Sequence, residues 1–369
     1  MIEERLNTFA PDYAVHPGEI LGEFLETRGM KKSELAERTQ LTPKTISQII
    51  NGKASLTPET AVHLERVLGV SATVWSNLDG LYRLHMAKKA DREKLETNKE
   101  WVKRFPIGEL AKRGFLSQHK DLTDALAELL DFFGVASIDG WNARYAKLAV
   151  EYRRSPSFTS SQEAVIAWLR IGELKAENIE TESYVRGHFK ASLTKIRGLT
   201  REPARLFEPA MKELCRNAGV ALTFVPELPK MRLSGVTRWL RPDKALITMS
   251  LRHRSDDHFW FTFFHEAGHL LLHGKKDVFI DEADMPINRA EEEATRFASE
   301  FLMPGSAYAS LTAKRRIYRQ DIIDLANQLG IAPGIVVGRL QHDNIIEYKW
   351  HNTLKRRFKF TEETTRQEA

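Results

Sequence analysis

The sequence feature that most constrains the fold of this chain is an apolar run that contains three histidines. Residues 259–273 read FWFTFFHEAGHLLLH, with His265-Glu266-x-x-His269 near the centre. On a helix, positions i and i+4 lie on one face, so His265 and His269 can bind one zinc ion and Glu266 can act as general base on a water at the metal. The alternative is a core helix that happens to contain two histidines, but burying His and Glu without partners is costly. We therefore predict a metal-binding helix over residues 257–273.

A zinc site that keeps an open position needs a third protein ligand. The next predicted helix, at about 290–301, offers adjacent carboxylates at Glu291, Glu292 and Glu293. Imidazole and carboxylate ligands suit zinc best, so the predicted cofactor is Zn²⁺.

Composition limits the class of protein. A length of 369 residues suggests two or three domains, and the single cysteine, Cys215, rules out a disulfide framework. The N-terminus lacks a signal-peptide core and no apolar run approaches the length of a membrane span, so we expect a cytoplasmic protein with no membrane partner. A net charge of +5 is compatible with nucleic acid but does not predict it alone.

The first 86 residues predict five short helices with a tight break between the second and third, which is typical of a helix-turn-helix domain. Thr42 can cap the third helix, Pro43 fits its first turn and Gly52 ends it. As the recognition helix, it would bury isoleucines and turn polar residues toward a major groove; a generic helical bundle with a polar face is the alternative. The candidate DNA-binding residues are Thr42, Lys44, Thr45, Gln48, Asn51 and Lys53.

Residues 14–86 resemble the Xre-type helix-turn-helix of HigA antitoxins. The resemblance rests on the run from Ala36 to Lys53, with Leu64-x-x-Val67-Leu68-Gly69 and Trp75-x-x-Leu78. It implies a repressor, usually a homodimer, that binds a double-stranded DNA operator.

The middle of the chain predicts helices without a catalytic constellation. Residues 87–104 are dense in charge and contain no Gly or Pro, which indicates a solvated connector helix. Residues 105–200 show apolar helical periodicity and could form a dimer platform, a sensor or a partner surface.

From residue 205 the pattern changes. A helix at 207–217 precedes three predicted strands at 220–225, 235–240 and 245–249, with a turn around Pro242-Asp243 between the last two. An extended peptide could add to the edge of such a sheet. Two helical stretches follow Pro304, and the tail from Lys355 to Ala369 is expected to fray. The predicted fold is α+β and mostly helical, divided into 1–86, 87–204, 205–309 and 310–369.

The two predicted metal-site helices together resemble the ImmA/IrrE family of metallopeptidases. The resemblance rests on His265-Glu266-Ala267-Gly268-His269-Leu270-x-Leu272-His273 and on Glu291-x-x-Ala294-x-x-Phe297-Ala298-x-x-Phe301-Leu302-Met303-Pro304. It implies that Glu291 is the third zinc ligand. Glu291 also lies nearer the centre of its helix's apolar stripe than Glu293, which is the alternative, whereas Glu292 is expected to face solvent. A structural role is expected for His273, because a fourth protein ligand would close the site.

Two functions follow as hypotheses. The first is a DNA-binding regulator whose zinc endopeptidase domain, with Glu266 as the catalytic base, cleaves a repressor-like partner or the chain itself. The second is a HigA-like antitoxin whose zinc-bound fold senses a ligand or binds a cognate toxin without proteolysis.

Overall fold

The computed structural model describes residues 14–145, 161–273 and 287–360. It divides into two compact units that meet in sequence between Lys99 and Glu100. The predicted fold class, α+β and mostly helical, is confirmed. The predicted domain boundaries at 86/87, 204/205 and 309/310 stay predictions, and each unit is described here by itself.

In the described part of the first unit, residues 14–99, five helices surround one small core. Thr42 and Thr57 each cap a helix whose next residue is proline, as the sequence predicts for Thr42. A Cβ on Gly18 would lie 2.2 Å from the carbonyl oxygen of Ile49, so glycine lets the first helix approach the backbone of the third. The helices are α1 Pro17–Thr27, α2 Lys32–Thr39, α3 Pro43–Ile50, α4 Pro58–Leu68 and α5 Ala72–Asn98.

Helix α5 is longer than predicted. We predicted a fifth short helix within residues 1–86 and a separate connector helix over residues 87–104, but one helix continues to Asn98. The reason is the absence of a terminator, because no glycine or proline occurs between Leu81 and Phe105.

The described residues of the second unit form helices and one three-stranded sheet. Its α-helices are α6 Ile107–Lys112, α7 Leu122–Phe133, α8 (described over 138–145), α9 Gln162–Glu177, α10 Arg186–Gly198, α11 Ala204–Arg216, α12 Asp256–Leu272, α13 Ile287–Leu302, α14 Gly305–Thr312, α15 Arg319–Leu329 and α16 Pro333–His342. Its strands are β1 Val220–Phe224, β2 Gly235–Arg241 and β3 Lys244–Met249. Short 3₁₀ turns lie at Lys99–Arg104, Leu199–Arg201 and Asn352–Leu354.

The sheet has the order β1-β3-β2, so β2 is an edge strand. β3 pairs in parallel with β1, with Val220 opposite Ala245, and antiparallel with β2, with Gly235 opposite Met249. A bulge between Trp239 and Arg241 leads into the turn that was predicted around Pro242 and Asp243.

Helices cover both faces of the sheet, because successive strand residues point to opposite sides. Ala221 and Leu246 pack with Ala176 of α9, and the Trp168 indole of α9 donates to the Val225 carbonyl at 3.0 Å. The alternate residues belong to the main core, which also contains most of the buried face of α12. That core extends through α10, α11 and the helices after α13, so the sheet and the segments on both sides of it fold as one packed unit.

The tail differs from the expectation in part. Residues 355–358 do not fray: the backbone N–H of Asp256 donates to the Arg356 carbonyl at 3.0 Å, and that of Phe358 donates to the Arg254 carbonyl at 2.9 Å. The remainder of the predicted tail, 361–369, lies outside the described residues. Within the described ranges, no helix is both long and apolar enough to cross a membrane.

Candidate metal centre and helix-turn-helix surface

Helix α12 lies at the centre of the second unit because it is apolar almost all round. Phe259, Trp260, Phe263, Phe264 and Leu270 are buried in the main core, as expected of a helix that is covered on most sides. Acidic residues in the first turn complement the positive N-terminal end of the helix dipole.

Helix α13 approaches α12 closely where both carry small residues. A Cβ on Gly268 would lie 3.0 Å from the Phe297 ring and 3.2 Å from the Ala294 Cα. Glu291 is one helical turn before Ala294, so this close approach brings its carboxylate to the histidines of α12.

Three donor atoms converge at this crossing. His265 Nε2 lies 3.0 Å from Glu291 Oε2 and 3.1 Å from His269 Nε2, and His269 Nε2 lies 3.4 Å from Glu291 Oε1. Ligands about 2.1 Å from a tetrahedral zinc ion are separated from one another by about 3.4 Å. The residues therefore fit zinc, and the described part of the chain contains no other group of three or more potential metal ligands.

Among the described residues, the cluster is partly exposed at Glu291. The His269 side chain is only 3% exposed, whereas that of Glu291 is 45% exposed. Partial burial acts to raise the pKa of Glu291, but its hydrogen bonds with His265 and His269 outweigh that effect and hold the pKa far below its usual value. Glu291 is therefore a carboxylate at neutral pH, the form that binds a metal.

The second nitrogen of each imidazole is also engaged. His265 Nδ1 lies 3.3 Å from the Thr295 hydroxyl, and His269 Nδ1 lies 3.1 Å from His273 Nδ1. Such contacts fix the orientation of a metal-binding imidazole. Thr295 was missed by the sequence analysis, although its position four residues after Glu291, on the same helix face, was a usable signal.

Glu293, the alternative third ligand, has other partners. It pairs with Arg289 at 3.1 Å and lies 3.4 Å from His273 Nε2. His273 thus lies between His269 and Glu293, and its structural role stays a prediction. Glu292 is exposed, as predicted.

The predicted base, Glu266, is buried beside the cluster and against β2. Burial raises the pKa of its carboxyl, although His269 and His265 act to lower it. A Cβ on Gly235 would lie 2.9 Å from Glu266 Cγ, and the Thr237 hydroxyl donates to the Glu266 backbone carbonyl at 3.0 Å. The edge strand β2 therefore contacts the helix at the predicted base, a contact between distant residues that the sequence did not reveal.

In the first unit, α3 has the two faces that the sequence predicts. Ile46 and Ile49 are buried, and the α2–α3 turn passes through Gln40, whose φ is 57°. The Thr42 hydroxyl accepts from the Thr45 N–H at 3.0 Å, which explains where the helix begins. Of the six candidate DNA-binding residues, four are exposed, namely Thr42, Lys44, Asn51 and Lys53. The other two, Thr45 and Gln48, are partly buried.

The fold and the site together define a helix-turn-helix domain joined in one chain to a metallopeptidase-like domain. Residues 21–75 match the family model described as helix-turn-helix, and residues 222–368 match the one described as IrrE N-terminal-like domain. The chain belongs to the Xre-like helix-turn-helix family and carries, in addition, a domain of the ImmA/IrrE family.

Known proteins resemble parts of the chain. An uncharacterised helix-turn-helix regulator, YddM of Escherichia coli K12, is 38% identical over 73 residues, 20% of this chain and 78% of the relative. Virulence-associated protein I of Dichelobacter nodosus is 36% identical, over 21% of this chain and 71% of the relative. A solved HigA-family antidote protein from Coxiella burnetii is 33% identical with a TM-score of 0.21, over 22% of this chain and 91% of that one.

Proposed function

We propose that this chain is a DNA-binding transcriptional regulator whose second unit is a zinc-dependent endopeptidase. The observation that carries the proposal is the convergence of His265, His269 and Glu291 beside the buried Glu266 and the edge strand β2. The substrate we propose is a repressor-like partner protein or the chain itself.

His265, His269 and Glu291 would hold the metal. A zinc ion there supplies a Lewis acid for a peptide carbonyl and acidifies water. The exposed side of Glu291 leaves room for a substrate.

Glu266 is the proposed proton carrier. Burial favours the neutral form of its carboxyl and the adjacent histidines favour the charged form, so it can accept a proton from water and return it to the leaving amine. Gly235 and Thr237 of β2 pack on this residue and hold it in place.

The edge strand β2 is the proposed substrate-binding surface. Its partner in the sheet is β3, so its other edge can add an extended peptide through backbone hydrogen bonds. Self-cleavage between residues 87 and 98 would first require that part of α5 to unfold, because a helix cannot pair with a strand edge.

The first unit is proposed to bind a DNA operator through α3. Lys44 and Lys53 suit phosphates, and Gln48 and Asn51 suit base edges. The proposed state is a homodimer, which matches two half-sites. Val74 and Leu81 lie two turns apart on one face of α5 and are 46% and 63% exposed, which offers an apolar surface for a second copy.

The proposal is tested by comparing the wild type with Glu266→Gln in cells under DNA-damaging stress. Glu292→Gln, an exposed glutamate near the ligand, is the matched control. Zinc content, operator occupancy and the length of the chain and its candidate partners are measured together. We expect derepression and a proteolytic fragment with the wild type and the control, and neither with Glu266→Gln at unchanged zinc content.

The opposite result supports the alternative function. If Glu266→Gln regulates like the wild type and no protein is cut, the zinc-binding fold acts as a sensor or toxin-binding module of an antitoxin-like repressor.

A further inference from the structure

A group of basic residues lies at one end of the sheet, where β2 begins and β3 ends. Gly235 of β2 is opposite Met249 of β3, so the residues before Gly235 and those after Met249 leave the sheet at the same place. The Ser250 N–H donates to the Ser234 carbonyl at 2.8 Å, which continues this pairing beyond the strands. The name basic rim is used here for four exposed residues of these two segments, Lys230, Arg232, Arg252 and Arg254.

Hydrogen bonds hold the loop between β1 and β2, which carries half of the basic rim. The buried Arg113 of α6 donates to the Pro226 and Glu227 carbonyls at 2.7 and 2.6 Å. Arg252 donates to the Arg232 carbonyl at 2.7 Å, so the two segments of the rim contact each other directly. Because the loop is already ordered, a ligand that binds there does not have to immobilise it first.

Positive charge dominates the basic rim. The two segments that carry it, residues 225–234 and 250–255, contain one acidic residue, Glu227. Burial raises the pKa of the Glu227 carboxyl, although Arg252 and Arg254 act to lower it. One carboxyl group whose protonated form is favoured by burial does not balance four cations.

The opposite end of β2 differs, because its arginines have carboxylate partners. Arg241 pairs with Asp243 at 3.3 Å, and Arg238 pairs with the buried Glu173 of α9. The excess of positive charge is therefore located at the Gly235 end of the strand.

This end of β2 is also the one that contacts the proposed proton carrier. A Cβ on Gly235 would lie 2.9 Å from Glu266 Cγ. An extended chain advances about 3.3 Å per residue, so Arg232, three residues before Gly235, lies within about 10 Å of this contact along the chain. An extended peptide on the β2 edge, with the cleaved bond at Glu266, would therefore reach the basic rim two to four residues from that bond.

We propose that the basic rim binds an acidic segment of the substrate polypeptide, two to four residues from the cleaved bond and always on the same side of it. This inference rests on the proposed peptidase function and adds a determinant of substrate choice. Complementary charge speeds the association of the correct partner and disfavours wrong ones. A peptide is favoured over nucleic acid, because the rim continues a strand edge that offers backbone hydrogen bonds to a peptide.

The first test measures cleavage. Zinc-loaded full-length chain is incubated with a peptide library in 0.1 M salt (roughly a 10 Å Debye length), and the residues flanking each cut bond are determined by mass spectrometry. We expect peptides with two acidic residues at the stated positions to be cut about 5- to 30-fold faster than matched peptides with Asn and Gln. This ratio should fall to within about threefold in 1 M salt, where the Debye length is about 3 Å.

Charge-reversal variants connect the preference to the basic rim. The double variant Lys230→Glu with Arg252→Glu should lose the preference for acidic peptides, whereas Lys230→Arg with Arg252→Lys keeps the charge and should retain it. The matched control is Lys190→Glu with Lys195→Glu, which makes the same change in net charge at exposed positions of α10 and should also retain it. If Arg252→Glu does not fold, because its bond to the Arg232 carbonyl is lost, Lys230→Glu alone should lower the preference about threefold.

The second test measures binding without catalysis. A fluorescein-labelled heptapeptide of alternating Ala and Glu, and its analogue with Gln, are titrated into the zinc-loaded Glu266→Gln chain and followed by fluorescence anisotropy. We expect the glutamate peptide to bind at least about fivefold more tightly. The difference should be absent when Lys230→Glu and Arg252→Glu are added and present when the α10 control substitutions are added.

Nucleic acid is the competing occupant. Duplex DNA of random sequence, added to the same complex, should leave the glutamate peptide bound. If the DNA displaces the peptide, and the charge-reversal variant loses affinity for DNA as much as for the peptide, the basic rim binds phosphates and the proposal is overturned.

The two tests separate the two proposals. Binding of the glutamate peptide that depends on the basic rim, with no peptide cut, would overturn the peptidase function and support the acidic-segment site. Peptide cleavage without a preference for acidic residues, or with a preference that charge reversal leaves unchanged, would overturn the proposal for the basic rim alone.

Discussion

Gly268→Ala tests whether the close approach of α12 and α13 sets the geometry of the metal centre. The added methyl group would lie 3.0 Å from the Phe297 ring, 3.2 Å from the Ala294 Cα and 3.4 Å from the Ala294 carbonyl oxygen. The ring can rotate away, but the two backbone contacts are relieved only if α13 moves by a few tenths of an ångström.

The magnitude follows from two opposing effects. Alanine improves helix propensity over glycine by about 0.8–1.0 kcal/mol, and overpacking costs about 1–3 kcal/mol. The net loss in the free energy of unfolding is therefore about 0–2 kcal/mol. The metal site is more sensitive, because ligand distances must hold to about 0.2 Å. A displaced Glu291 should weaken zinc binding by about tenfold, or 1.4 kcal/mol.

The assay is zinc affinity by competition with a fluorescent chelator, together with denaturant unfolding of the metal-free chain. Gly187→Ala is the matched control, because Gly187 lies in α10 of the same unit and a Cβ there meets nothing within 4 Å. It should keep wild-type zinc affinity and gain up to about 1 kcal/mol in stability. If Gly268→Ala also binds zinc like the wild type and gains stability, the close approach does not position Glu291.

Three further outcomes are expected. Adding zinc at about 100 times its Kd should raise the free energy of unfolding of the second unit by about 2.7 kcal/mol, and a chelator should remove this gain; no difference in chemical denaturation would contradict the ligand set. Asp257→Asn should cost about 3 kcal/mol at neutral pH by breaking the buried pair with Lys355. Burial acts to raise the pKa of Asp257, but the hydrogen bond from Lys355 holds it below its usual value. The stabilisation is therefore present above pH about 4 and is lost as pH falls through the folded pKa. The free energies of unfolding of the two proteins should converge as the solution is acidified. Lys44→Ala should weaken binding to all DNA sequences and reduce the slope of log K against log salt concentration by about 1, whereas Gln48→Ala should relax the base preference at one base pair. If each variant changed the affinities for operator and random DNA equally, the role assigned to Gln48 would be wrong.

Elements set by local chemistry were predictable. The start of α3 followed from Thr42 and Pro43, and the strands followed from β-branched runs between turn residues. The end of α5 was missed because a rise in charge density was taken as a boundary, although charge does not end a helix and no breaker was present.

The sheet order was not predictable, because it depends on contacts between distant residues. The hairpin of β2 and β3 has a local turn, but the parallel pairing of β1 with β3 gives no signal in either strand. The role of α9 was also missed. Its apolar residues surround the helix, which fits an element that is buried between the sheet and other helices rather than a surface platform.

The site residues also fall into those that the sequence predicts and those that it does not. His265, Glu266 and His269 are neighbours on one helix, and their spacing alone predicts a shared face. Glu291 needed a family resemblance, since three adjacent glutamates offered the same chemistry. Gly235 could not be found, because its importance comes from contact with Glu266, about thirty residues away.

The segment expected to fray shows why the metal helix cannot be understood from its own sequence. Asp256, in the first turn of α12, is fully buried, and burial raises the pKa of its carboxyl although Arg356 acts to lower it. The Arg356 guanidinium lies at 3.4 Å from this carboxylate and also donates to the Thr200 and Glu202 carbonyls. It therefore ties the start of α12 to the 3₁₀ turn that follows α10. Because a rigid helix transmits a shift at its first turn to the ligands about nine residues later, the basic segment near the C-terminus belongs to the architecture of the metal centre.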